Sequence, residues 1–343
     1  MSLSKGKRTA IVVIVLVVVP ITFLAVGGVW FWWQLDPPGG PGGKVEVQIA
    51  QGWGVPKIGD ELHHDGVIGS SLVFSVYARL NGDNEFQAGT YELRKHMGVR
   101  AAVKTLKAGP TRNYVTLTIP PGFWMKEIAD RVGKLPGVDR DTFLQSTQNN
   151  AVRSKFEPDG VNNLEGLLWP DTYKIDAEED AIQILKTMSD TFDQKATSLG
   201  LVNANVQGLG AYDIIKVASL IEAEAKVNSE RPLIASVIYN RLARHLPLQI
   251  DATLIYARGD PKKRTLSNAD TQIDSPYNTY THMGLPPTPI AAISAESLKA
   301  ALAPASTNYL YYVLSDKQGH HAFAATEQEQ EHNVELARQK GLL

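Results

Sequence analysis

No cysteine occurs anywhere in the 343 residues, so disulfides, thiol catalysis and Cys-ligated zinc are all excluded. An excess of one charge is lacking too. The 34 Lys and Arg stand against 36 Asp and Glu, a formal net charge of −2. Lys5, Lys7 and Arg8 precede every acid, so the rest carries 31 basic against 36 acidic groups, or −5. A polyanion would meet no net attraction there, and nucleic acid is not expected as a partner. Familiar catalytic signatures are missing as well: G-x-S-x-G, a Gly-Lys-Ser/Thr phosphate loop, H-E-x-x-H and a complete G-x-G-x-x-G. Gly208-Leu-Gly210 lacks the third glycine. His320 and His321 are neighbours, and on a strand they would face opposite sides, so they cannot share one metal ion. Neither a metal nor a cofactor is expected. What remains is carboxylate chemistry.

Ala10 to Trp33 holds no charge in 24 residues, and Trp30, Trp32 and Trp33 close it. As a helix it would reach about 36 Å, against about 30 Å for a hydrocarbon core. A signal peptide would have a shorter apolar region ending in small residues. The run therefore predicts a single N-terminal transmembrane helix over 10–33 behind a cytoplasmic tail, 1–9. The basic residues before it put everything from Asp36 outside the cytoplasm. A cell-membrane protein with an extracytoplasmic catalytic domain is expected, and the cytoplasmic membrane is one expected partner. Pro37-Pro-Gly-Gly-Pro-Gly-Gly43 marks 34–43 as a linker.

From Lys44 to Thr142 one pattern occurs twice. Val45-Glu-Val-Gln-Ile49 alternates as a half-buried strand does, Gly52-Trp53 follows, and Ile58, Asp60 and Leu62 have helical spacing. Val115-Thr-Leu-Thr-Ile119, Gly122-Phe123 and Ile128, Asp130 and Val132 repeat it. This predicts small α+β modules over 44–142, a possible two-unit repeat without obvious catalytic chemistry. Residues 143–343 read as a mainly helical domain with a little sheet. Helices are predicted over 179–196, 211–225 and 229–241, a long irregular loop over 274–290, and a helix capped by Ser294 reaching Leu302. Leu310-Tyr-Tyr-Val-Leu314 and Ala322-Phe323 predict a hairpin. The fold class is α+β.

In Ala218-Ser-Leu-Ile-Glu-Ala-Glu-Ala225 the most telling groups are the acids. Ile214, Ala218, Ile221 and Ala225 form an apolar stripe, with Glu222 about 80° from its centre, on the flank where a side chain can enter a cleft. Glu224 points about 200° from Glu222, so one site cannot use both. Ser219 lies one turn back and in hydrogen-bonding direction. Spacing alone also permits a solvated pair between Glu222 and Lys226, at (i, i+4).

This stretch, with Glu230-Arg-Pro-Leu-Ile-Ala-Ser-Val-Ile-Tyr-Asn-Arg241, Pro247-Leu-Gln-Ile-Asp251, Ile273-Asp-Ser-Pro-Tyr-Asn-Thr-Tyr280, Gly284-Leu-Pro-Pro287, His321 and His332-Asn333, resembles the MltG (YceG-like) endolytic murein transglycosylases. Leu164-Glu-Gly-Leu-Leu-Trp-Pro-Asp-Thr-Tyr173 resembles them too, and the resemblance covers nearly the whole chain. Ala223 and Ala252 depart from the pattern, where Lys and Pro are expected; neither is a chemical group. The resemblance implies a LysM-like module ahead of a YceG-like catalytic domain. It also implies a lytic transglycosylase that cuts the MurNAc–GlcNAc bond of nascent peptidoglycan strands, limits their elongation and works beside peptidoglycan synthases. It makes Glu222 the catalytic acid and base, and puts Gln249, Asp251, Asn278 and Tyr280 in the substrate cleft with Ser219. Glu165 and Asp171 read as fold-stabilising. Two other functions fit the residues: a two-carboxylate muramidase pairing Glu222 with Asp251 or Asp274, and a non-catalytic wall-binding protein that works through the repeat.

Overall fold

The computed structural model describes residues 19–83, 85–111, 114–260 and 266–343. The chain divides into two compact units, residues 1–113 and 114–343. Both mix helix with antiparallel strand pairs, as an α+β chain should.

The first unit runs α1 (Val19–Leu35), β1 (Lys44–Ile49), α2 (Val55–His64), α3 (Ser71–Leu80), β2 (Gly89–Arg94) and α4 (Val99–Ala108). β1 and β2 pair antiparallel from Lys44↔Arg94 to Ile49↔Gly89. The alternation in β1 turns Val47 and Ile49 onto a core that includes Ile58, Leu62, Phe74, Tyr91 and Leu106.

The expected membrane span is corrected here. Residues 1–18, with the expected tail and the first part of the apolar run, lie outside the described residues. The described part, α1, has 17 residues. Among the described residues no helix is long and apolar enough to cross a membrane. The end of α1 is instead tied to its own unit. Leu35 is buried in the unit's core with Phe31 packed against it, while Arg100 lies over the Trp32 ring at 5.8 Å and pairs with Asp36 at 3.2 Å. The single-pass topology and the cell-membrane localisation, both drawn from that run, fall with it. Hydropathy reads a run as one lipid-facing element and cannot see that its last turn has protein to pack against.

The second unit runs β3 (Tyr114–Thr118), α5 (Met125–Val132), α6 (Arg140–Ser146), β4 (Thr172–Asp176), α7 (Ala181–Ser198), α8 (Ala211–Glu224), a 3-10 turn over Asn228–Glu230 and α9 (Arg231–Ala243). It continues with α10 (Asp251–Ala257), a second 3-10 turn over Asn268–Gln272, α11 (Ala295–Leu302), β5 (Tyr311–Leu314), β6 (His321–Ala324) and α12 (Glu327–Gln339). β3 pairs antiparallel with β4, from Tyr114↔Asp176 to Thr118↔Thr172. The region read as 44–142 is thus divided between the two units, because the partner strand of β3 lies beyond residue 142. Each half nonetheless has the same order: strand, glycine at positive φ (Gly52 at 83°, Gly122 at 78°), two helices, antiparallel return strand. The aromatic after each glycine carries a cation over its ring, Lys57 on Trp53 at 5.1 Å and Arg131 on Phe123 at 4.9 Å.

At the centre of the second unit is α8. Ile214, Ile215, Val217, Ala218, Ser219, Leu220 and Ile221 are all buried, with α9, α10 and α11 packed around the helix. A helix enclosed in this way has no single apolar stripe and no single open flank.

Candidate active site

Where the buried run of α8 ends, the two glutamates diverge. Glu222 turns into the protein, with 6% of its side chain exposed. Its Oε2 accepts from the Ser294 N–H at 2.9 Å and from the Ser294 hydroxyl, and its Oε1 from Arg231 Nη2 at 3.3 Å. Arg231 also donates through Nη1 to Ser297 Oγ and through Nε to Asn228 at 3.0 Å. Ser294 is the N-cap of α11, its hydroxyl accepting from Ser297 N at 3.2 Å. Glu222 is therefore one half of a buried ion pair that ties the end of α8 to the start of α9 and the cap of α11, and Arg231, not Lys226, is its partner.

Glu224 faces the other way, into a cleft of about 430 Å³ whose walls include Arg241, Gln249, Asp251, Tyr280, Tyr312, His321 and Gln330. The Tyr312 hydroxyl donates to Glu224 Oε2 at 3.2 Å. Burial raises the Glu224 carboxyl from its ordinary value to about 7, and the nearby charge of Asp251 adds to this; the Tyr312 hydroxyl and the Ala252 amide pull it back. A carboxyl so placed is half protonated near neutrality and can give and take a proton. Tyr280 donates to Asp251 Oδ1 at 2.5 Å, and burial raises the Tyr280 phenol. Gln249 takes a left-handed backbone conformation, φ 55°, and its Oε1 accepts from Arg241 Nη2. Arg241 is fixed by the carbonyls of Pro247 and Leu310, both at 2.9 Å, and sits over the Tyr311 ring at 5.3 Å.

Of the residues singled out in the sequence, the structure brings Gln249, Asp251 and Tyr280 together in this cleft. It does not bring Glu222, Ser219, Asn278 or Asp274 to its walls. Ser219 is fully buried, donating to the Lys216 carbonyl at 2.7 Å and accepting from Ile290 N at 3.1 Å. Asn278 is fully buried in the loop before α11, donating to the carbonyls of Thr271 and Ile273 and accepting from Tyr280 N at 3.0 Å. It shapes the turn that delivers Tyr280. Asp274 is exposed. Glu224, Arg241 and Tyr312 are the cleft residues that sequence reasoning missed. The usable signal was the near-continuous burial predicted by Ile214 to Ile221: a helix apolar on nearly all sides frees its side chains only where the run stops.

Glu165 is a second buried acid, outside the cleft. It accepts from Met125 N at 3.0 and 3.1 Å and from the Tyr256 hydroxyl at 3.0 Å, and burial raises it to about 7. An acid whose folded pKa lies above its unfolded one leaves the native state binding more protons. Its favourable contribution is complete below about pH 4.5 and is lost as pH rises towards 7, by about 3 kcal/mol. The second unit should therefore unfold at lower urea between pH 5 and pH 8. Glu165→Gln, which keeps an oxygen for Met125 N, should flatten part of that slope; equal slopes for the two proteins would show that Glu165 is not its source.

Among the described residues, Glu61, His64 and Asp65 of the first unit bring ligand-type atoms within 4.8 Å of one another. His64 is exposed, and the cluster belongs to another unit than the cleft.

A profile of the YceG-like family matches residues 47–336. An endolytic murein transglycosylase from Bacillus subtilis is 35% identical over 303 residues, covering 82% of this chain and 81% of its own. One from Streptococcus pneumoniae is 31% identical over 319 residues, covering 84% of this chain; the chain spans 58% of that relative's length. The crystal structure of a yceG-like protein from Listeria monocytogenes matches with a TM-score of 0.58 at 31% identity, over 85% of this chain and 99% of that one.

Proposed function

The chain belongs to the YceG-like family, and from that membership and the cleft around Glu224 we infer that it is an endolytic murein transglycosylase, a carbon–oxygen lyase whose substrate is the glycan strand of peptidoglycan. The observation that carries the mechanism is a single carboxyl held near pKa 7 on a cleft wall. Cleaving MurNAc–GlcNAc without water calls for one group that first gives a proton and then takes one. Protonated Glu224 gives its proton to the departing glycosidic oxygen as the C1–O bond breaks and oxocarbenium character develops at C1. The carboxylate left behind removes the proton of the sugar's own C6 hydroxyl, whose oxygen bonds to C1. A 1,6-anhydro ring closes and Glu224 is protonated again. Burial keeps the acid protonated, and the Tyr312 hydroxyl steadies the carboxylate between the two steps.

Asp251, held by Tyr280, contributes negative charge beside the developing cation, and Gln249 offers its amide to the sugar. In this reading the strands being cut are those that peptidoglycan synthases are making. The strand–helix–helix–strand half of the first unit is a LysM-like module, and the matching half of the second unit is its repeat. Asp251 in the same cleft as Glu224 also favours a second reading, a muramidase in which Asp251 activates water.

Digesting purified peptidoglycan and identifying the new ends separates the two. Lyase chemistry leaves 1,6-anhydro-MurNAc ends from the first time point, and reducing MurNAc ends as the main product would overturn it in favour of hydrolysis.

A further inference from the structure

On the cleft wall, His321 is joined to the buried carboxylate of Glu230, a contact that the chemistry above does not use. The His321 N–H donates to both carboxylate oxygens of Glu230, at 3.0 and 3.2 Å, and ring Nδ1 lies 2.8 Å from Oε2. The two side chains are only 9% and 10% exposed. A carboxylate at Nδ1 fixes both the proton position and the plane of the imidazole. That plane meets the Tyr312 ring edge-on, 5.4 Å between centroids at 83°, with Phe323 at 6.0 and 6.3 Å from the two rings. Tyr312 is the residue whose hydroxyl reaches Glu224.

It stands on a two-stranded hairpin, β5–β6, which is a loose support by itself. Burying Glu230 beside His321 is a costly way to pin a hairpin where apolar side chains would serve. The cost has a use if the angle of one ring matters.

We propose that Glu230 and His321 form a buried dyad that positions Tyr312, and through its hydroxyl the carboxyl of Glu224, for proton transfer. The proposal rests on Glu224 being the acid. His321 is a positioning residue in this scheme, since it acts through Tyr312. The groups facing Glu224 are Asp251 at the start of α10, Arg241 from α9, Tyr280 from the loop before α11, and Tyr312 and His321 from the hairpin. From α12 comes uncharged Gln330, and α11 presents Ser294 to Glu222 instead.

The sign of the effect follows from the bond. A hydroxyl donating to the carboxylate favours its charged form, so losing or misaiming that hydroxyl raises the Glu224 pKa. The acid then stays protonated to higher pH, and the basic limb of kcat/KM moves upward.

The test measures anhydro-end formation from purified peptidoglycan across pH 5–9, using the full chain, with Tyr312→Phe, His321→Ala, His321→Asn, Glu230→Gln and the Tyr312→Phe/His321→Ala double variant. His321→Ala should lower kcat between about 10- and 100-fold with KM nearly unchanged. Its basic limb should move up by about half a pH unit or more, as in Tyr312→Phe. The double variant should be no worse than Tyr312→Phe alone, because the two act in series. His321→Asn, which keeps a donor for Glu230, should recover part of the rate. If His321→Ala does not fold, Glu230→Gln reads the same limb. A limb that stays at its wild-type position, or losses that add in the double variant, would overturn the dyad while leaving Glu224 as the acid. Full activity in Glu224→Gln would sink the underlying reading and the dyad with it.

Discussion

Replacing Glu224 with Gln is expected to slow strand cleavage by at least roughly 10²–10⁴-fold, the usual contribution of a positioned acid or base. Here one carboxyl serves both proton transfers, so the loss should lie at or beyond the upper end. Glutamine keeps the shape and can still accept from the Tyr312 hydroxyl, so the cleft should survive. It has no proton to give and no charge with which to take one. Stability should not fall: above pH 7 the wild-type protein holds an ionised carboxyl that burial disfavours, and the amide removes that burden. Glu222→Gln is the internal control. Its carbonyl oxygen can still accept from Ser294, it lines no part of the cleft, and most of the activity should remain. Rates of anhydro-end formation, with melting temperatures measured beside them, decide the matter. If Glu222→Gln is the dead enzyme and Glu224→Gln the active one, the acid has been put on the wrong side of the helix.

That choice between two glutamates shows where sequence reasoning reaches and where it stops. Local signals carried far. The helix read over 211–225 is Ala211–Glu224, the Ser294 cap is where the serine stands, and the hairpin read from 310 is Tyr311–Leu314 paired with His321–Ala324. Gln249, Asp251 and Tyr280, taken together from their motif runs, line one cleft. What the sequence does not show is the surroundings of an element. A helical wheel assumes one buried side, but α8 is enclosed by three other helices, so the flank assigned to Glu222 is occupied by Ser294 and Arg231. The apolar run before Trp33 reads as lipid-facing by hydropathy, yet Leu35 and Phe31 at its end have a protein core to join. The partner of β3 is 62 residues away at its outer end, Tyr114↔Asp176, and no local pattern announces it.

The largest change in stability is expected from Arg231→Ala. Arg231 is the only cation paired with Glu222 among the described residues, and its three nitrogens reach Glu222, Ser297 and Asn228. Truncating it leaves a carboxylate with 6% of its side chain exposed and only the Ser294 donors to hold it. Breaking a buried pair from one side costs about 3–5 kcal/mol, most of it the penalty of the stranded charge. For a unit of this size that lowers Tm by roughly 6–20 °C. Because the pair is buried, raising the salt concentration should change the loss little. Removing the stranded charge as well should return much of it, so Glu222→Gln with Arg231→Leu should melt well above Arg231→Ala alone. The same cycle tests the active-site assignment from the other side. Neither residue lines the cleft, so the double variant, assayed below its melting temperature, should still form anhydro ends at a rate near the wild type. If it folds and melts as expected yet forms none, the Glu222–Arg231 pair belongs to the chemistry and not only to the fold.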